Sequence, residues 1–70
     1  MTELIFIVAE AEEGGFTAQS VGVDIFTEAD SLDELKSMIR DAVLCHFEED
    51  ELPKLIRIHF TKEEVFSLVA

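Results

Sequence analysis

The sequence predicts an α+β domain in the order β-β-β-α-β: an antiparallel three-stranded meander, one helix on a face, and a further C-terminal strand. Three observations carry that expectation. Strand-like apolar runs are punctuated by Gly14-Gly15 and Gly22. A serine-led cap opens the one stretch with helical spacing. Beyond Pro53 the pattern returns to clean alternation.

Residues 3 to 10 read as the first strand. Leu4, Phe6 and Val8 form one alternating set and Ile5, Ile7 and Ala9 the other. Both sets are apolar, which suits a strand covered on both faces in the middle of a sheet. Glu10 to Gly15 is polar and ends in two glycines, which accept positive φ without steric cost, so a hairpin turn is expected. The second strand, 16 to 21, sets Phe16, Ala18 and Ser20 against Thr17, Gln19 and Val21. A third, 23 to 28, sets Val23, Ile25 and Thr27 against Asp24, Phe26 and Glu28. Gly22 either joins two strands of a meander or marks a bulge in one bent strand.

Ser31-Leu32-Asp33-Glu34 is a capping box, and its carboxylates suit the positive end of a helix dipole. Leu32, Leu35, Ile39, Ala42, Val43, His46 and Phe47 then define one apolar arc, so the helix is expected over about 32 to 47. The acidic run 48 to 51 should end it with some fraying, because carboxylates oppose the dipole there. Lys54 to Phe60 reads as a half-buried edge strand, with Leu55, Arg57 and His59 opposed to Ile56, Ile58 and Phe60. Two readings fit the tail. Thr61-Lys62-Glu63-Glu64 repeats a capping pattern ahead of a short helix, and a strand extension fits nearly as well.

Seventy residues allow one domain with a small core, residues 1 to 70. The single cysteine, Cys45, cannot close an internal bridge, and Cys45, His46 and His59 lack the paired spacing of a structural zinc site. Self-association is then the expected source of added stability, so a homo-oligomer is expected. Sixteen acidic residues face five basic ones, a formal charge of −11. Nucleic acid and anionic membranes are bound by neutralising their phosphates with Lys and Arg, so neither is an expected partner. Such a surface attracts basic proteins instead. The run from Leu4 to Ala9 follows Glu3, not a basic segment, and is too short to span a bilayer; a cytoplasmic location is expected.

No catalytic arrangement is legible, and neither an enzyme nor a cofactor is expected. Cys45 and His46 are neighbours on a helix, about 100° apart, and do not face each other. His46 falls in the apolar arc, where a buried or interface histidine is the ordinary reading, and Cys45 behaves as a small hydrophobe at its margin. The acids follow no cation-binding order, and Gly14-Gly15 has neither a phosphate-loop lysine nor a following helix. Arg57 and His59, two residues apart on a strand face, are candidates for contact with a ligand or partner, and Glu12 and Glu13 are candidates in the turn.

The chain resembles the HicB-like antitoxin family. Glu12-Glu13-Gly14-Gly15-Phe16-Thr17-Ala18 is similar to that family's acidic, double-glycine, aromatic turn. The stretch from Ile25 to Leu35 and the spacing to Ile39-Arg40-Asp41-Ala42-Val43 resemble its third strand and helix. The likeness spans about residues 3 to 47. It implies a truncated ribonuclease-H-like sheet without nuclease chemistry, and a small basic mRNA-cleaving toxin as partner. The family's proline-rich loop ending in Gly-Cys is replaced by Ser20-Val21-Gly22-Val23-Asp24, and no DNA-binding module is seen after residue 60. The expected function is therefore a protein-binding, antitoxin-like module. The alternatives are a small-molecule or metal-responsive protein using Arg57 and His59, or a self-assembling structural subunit.

Overall fold

The computed structural model describes residues 2–62 and 66–69. Its elements are β1 (Glu3–Glu10), β2 (Phe16–Ser20), β3 (Phe26–Ala29), α1 (Leu32–His46), a 3-10 turn (Glu49–Glu51) and β4 (Leu55–Phe60). The order β-β-β-α-β is the expected one. The four strands form one mixed sheet in the order β3-β2-β1-β4.

The first three strands make the antiparallel meander, with Val8 opposite Ala18 and Ala18 opposite Thr27. The β1–β2 turn closes where Gly14 and Gly15 take φ of 98° and 80°. There the Ala11 amide donates to the Gly15 carbonyl and the Gly14 amide to the Ala11 carbonyl. Gly15 has a second reason to be glycine: a Cβ there would stand 2.7 Å from the Ala29 carbonyl oxygen.

β3 begins at Phe26, three residues later than the alternation suggested, and Gly22 marks a connection between two strands and not a bulge within one. Residues 21–25 are held by Ser20. Its hydroxyl accepts from the buried Ile25 amide at 3.0 Å and donates to the Val23 carbonyl at 2.6 Å. The Ser20 amide donates to the Ile25 carbonyl at 2.9 Å, which closes the loop. Ile25 is thereby delivered to the core although it lies outside the ladder.

The Ser31 hydroxyl caps α1 by accepting from the Glu34 amide at 3.2 Å. Leu35, Ile39 and Val43, at intervals of four, form the buried stripe against Leu4, Phe6, Val8 and Ala18 on the sheet. The arc is narrower than expected. Phe47 caps the helix half-buried, whereas His46 is exposed and lies edge-on to the Phe47 ring at 4.9 Å. Cys45 is exposed as well.

Two further expectations are corrected. β1 lies inside the sheet, but only its Leu4, Phe6 and Val8 face is covered; Ile5, Ile7 and Ala9 are half-buried on a face that no helix or strand among the described residues crosses. β4 joins β1 in parallel, Phe6 opposite Ile58, so the sheet is mixed. α1 packs over β2 and β3 and leaves β4 bare, so β4 is mostly exposed, not half-buried. Thr61, Lys62 and residues 66–69 form neither helix nor strand, and the rest of the expected tail helix, 63–65, lies outside the described residues.

Candidate functional site

Strand alternation sorts the side chains of the sheet into two faces. Phe16, Ala18, Ile56, Ile58 and Phe60 share the helix side with the core. Phe26, Gln19, Ile7 and His59 lie in one row across the open side, each opposite the next. Arg57 stands one row away, opposite Ile5, and reaches along the sheet to Glu3. The hydrogen bond to Glu3, and then its negative charge, hold the guanidinium above its ordinary pKa. Arg57 is well exposed and Glu3 only half-buried, so the pair fixes the direction of Arg57 more than it stabilises the fold.

Glu12 and Glu13 are exposed at the β1–β2 turn. Among the described residues no ion pair or hydrogen bond joins them to Arg57 or His59, so the four candidates do not converge on one pocket. No group of three or more His, Cys, Asp or Glu among the described residues is placed to hold a metal ion. No helix among them is long and apolar enough to cross a membrane.

The distribution of charge is more telling than any single pair. Every described carboxylate except Glu3 is exposed, and Arg57–Glu3 is the one ion pair among the described residues. The acids lie along the outer side of α1, on the 3-10 turn, on the β1–β2 turn and around β3. Between Leu52 and Lys62, by contrast, there is no Asp or Glu, while Lys54, Arg57 and Lys62 supply three of the five cations.

The outer edge of β4 was not singled out by residue. Beside it runs an open groove of about 400 Å³, with Arg40, Val43 and Leu44 of α1 on one wall and Leu52, Lys54 and Ile56 on the other. Alternation alone shows an apolar strand face. That the helix fails to cover it depends on which strands α1 crosses, which alternation does not encode.

No family model matches the chain, and no solved structure matches it. Two relatives do. A UPF0150 protein of Archaeoglobus fulgidus is 58% identical over 52 residues, covering 74% of this chain and 77% of the relative. A UPF0150 protein of Thermotoga maritima is 43% identical over 61 residues, covering 87% of this chain and 86% of the relative. Identity at that level across most of both chains places this protein in the UPF0150 family.

Proposed function

We propose that the chain is a protein-binding module of the HicB antitoxin type, which covers a small basic partner, in that family an mRNA-cleaving toxin. The observation that carries the reading is the uncompensated acidity: 16 carboxylates against 5 cations, with nearly every described carboxylate in water. A field of that sign concentrates a cationic protein at the surface and orients its approach. The β-β-β-α-β order and the stretch from Glu12 to Ala18 add to the support through their likeness to the HicB-like domain.

The reading has a direct test. The chain is co-expressed with any small basic protein encoded beside its gene and recovered through an affinity tag. The complex is expected to survive at low salt and to dissociate as ionic strength rises, because screening shortens charge attraction to about 8 Å at physiological salt. Recovery of the tagged chain alone at low salt would overturn the proposal. Where the neighbour is a toxin, relief of its growth arrest by co-expression is the corresponding cellular result.

A further inference from the structure

β4 is an edge strand with the composition of an interior one. Four of its six residues are large and apolar, and Leu55, Ile56 and Phe60 are 63%, 38% and 49% exposed. Its backbone is half-used. The Leu55 amide donates to the Thr2 carbonyl and the Thr61 amide to the Val8 carbonyl, so odd-numbered positions bond to β1. Strand alternation then turns the amides and carbonyls of Ile56, Ile58 and Phe60 outward, to the free edge. Edges of this kind are normally guarded by inward-pointing charge, by proline or by a bulge. β3, the opposite edge, is short and has Asp24, Glu28 and Asp30 around it. Within Leu55–Phe60 there is neither proline nor carboxylate, and the one permanent charge, on Arg57, is answered by Glu3.

We propose that β4 is a dimer interface. A second copy of this chain pairs antiparallel along it, about a two-fold axis at Ile58, and joins two four-stranded sheets into one of eight. In this register Ile58 faces its own counterpart and Ile56 faces Phe60 of the other copy. The outward groups of Ile56, Ile58 and Phe60 exchange six main-chain hydrogen bonds. On the helix side the facing Ile and Phe side chains cover apolar surface that α1 leaves bare, next to the groove beside Leu44 and Leu52.

Charge selects a second copy for this edge. At −11, two chains repel wherever their acidic faces meet, and the segment 52–62 is the longest stretch of the sequence without a carboxylate. The only like-charged contacts in the register, Lys54 with Lys62, fall at its two ends, where long stems reach into water. Phe66, Leu68 and Val69, further along the chain, are exposed as well.

The proposal does not rest on the proposed function, and it is tested on the purified chain alone. Light scattering across a concentration series is expected to give a mass near twice 7.9 kDa. Phe60→Pro removes an outward amide and no bond to β1; Ile58→Lys sets two ammonium groups against each other on the axis. Each is expected to abolish the dimer while circular dichroism stays native. A separate measurement does not depend on those variants folding. In a Cys45→Ser background, Ile58→Cys should form an intermolecular disulfide on mild oxidation, because residues opposed in a hydrogen-bonded pair lie about 5.5 Å apart, within disulfide range. Leu55→Cys, far from its own counterpart in this register, should not. A chain that stays monomeric at every concentration, a dimer that survives both substitutions, or cross-linking equal at 55 and 58 would overturn the proposal.

Discussion

Ser20→Ala isolates what holds the loop between β2 and β3. Ser20 is 6% exposed and its hydroxyl makes two bonds, accepting from the buried Ile25 amide at 3.0 Å and donating to the Val23 carbonyl at 2.6 Å. Alanine keeps the Cβ and fills nearly the same space, so the change is one of hydrogen bonding and not of packing. Leaving a buried amide unpaired costs about 1–3 kcal/mol. Val23 is only half-buried, so water is expected to replace most of the bond its carbonyl loses. A loss of about 2 kcal/mol is therefore expected, set against a total of about 4–10 kcal/mol for 70 residues. The assay is urea unfolding at one fixed protein concentration, because association with a second copy would add to apparent stability. With a slope of about 1 kcal/mol per molar urea the midpoint should fall by about 2 M. Ser37→Ala, exposed on α1, is the control and should leave it in place. A fall of under about 0.5 kcal/mol for Ser20→Ala would show that the loop does not depend on this hydroxyl.

Gly15→Ala should lower the thermal midpoint more than Gly14→Ala. Both positions have positive φ, but only at Gly15 does the new methyl meet backbone, 2.7 Å from the Ala29 carbonyl oxygen. Equal losses would refute the close approach of β3 to the turn. Leu35→Ala, which empties a fully buried position under α1, should cost about 2–5 kcal/mol in denaturant unfolding, whereas Met38→Ala, on the exposed side of the same helix, should cost under about 1 kcal/mol. Salt should move the two kinds of association in opposite directions: added sodium chloride weakens capture of a basic partner and strengthens self-association of a chain at −11. Titration by light scattering and by pull-down reads both, and a self-association that weakened with salt would contradict the charge argument.

The parts of the fold legible in sequence are those fixed by neighbours in the chain. β1 runs over the expected Glu3–Glu10, the double glycine turns with positive φ, and Ser31 caps α1. What was not legible is set by contacts far apart. Alternation in Leu55–Phe60 identifies a strand but not its neighbour. Its direction follows only once the path is known: the meander runs β3 the same way as β1, α1 carries the chain back, and β4 then runs parallel to both. His46 shows the same limit. The periodicity placed it on the apolar arc, but the stripe at intervals of four passes from Val43 to Phe47, and the imidazole is left in water against that ring. The second apolar set of β1 implied a cover for both faces, and among the described residues a helix covers only one. Among the candidate residues, Arg57 and His59 were correctly assigned to one face of their strand, but nothing local could pair Arg57 with Glu3, 54 positions away.

The separation of charge leaves the two proposed surfaces, acidic and apolar, on different parts of this small domain. Repulsion between copies acts wherever acid meets acid, so acidity that would recruit the proposed basic partner also keeps two molecules apart at α1, at the 3-10 turn and around β3. If carboxylates were spread evenly, β4 would carry its share, and its unpaired backbone would be guarded like other edges. Their absence from 52 to 62 leaves one strand where main-chain pairing meets no such barrier. A dimer formed there would hold both acidic surfaces outward with twice the charge, and the field felt by an approaching cationic protein would grow accordingly. A carboxylate introduced at Ile58, which faces its own counterpart on the two-fold axis, should therefore loosen the dimer while leaving the acidic surfaces as they were. Loss of partner capture in step with that loosening would mean that the basic protein is held across two copies and not by one.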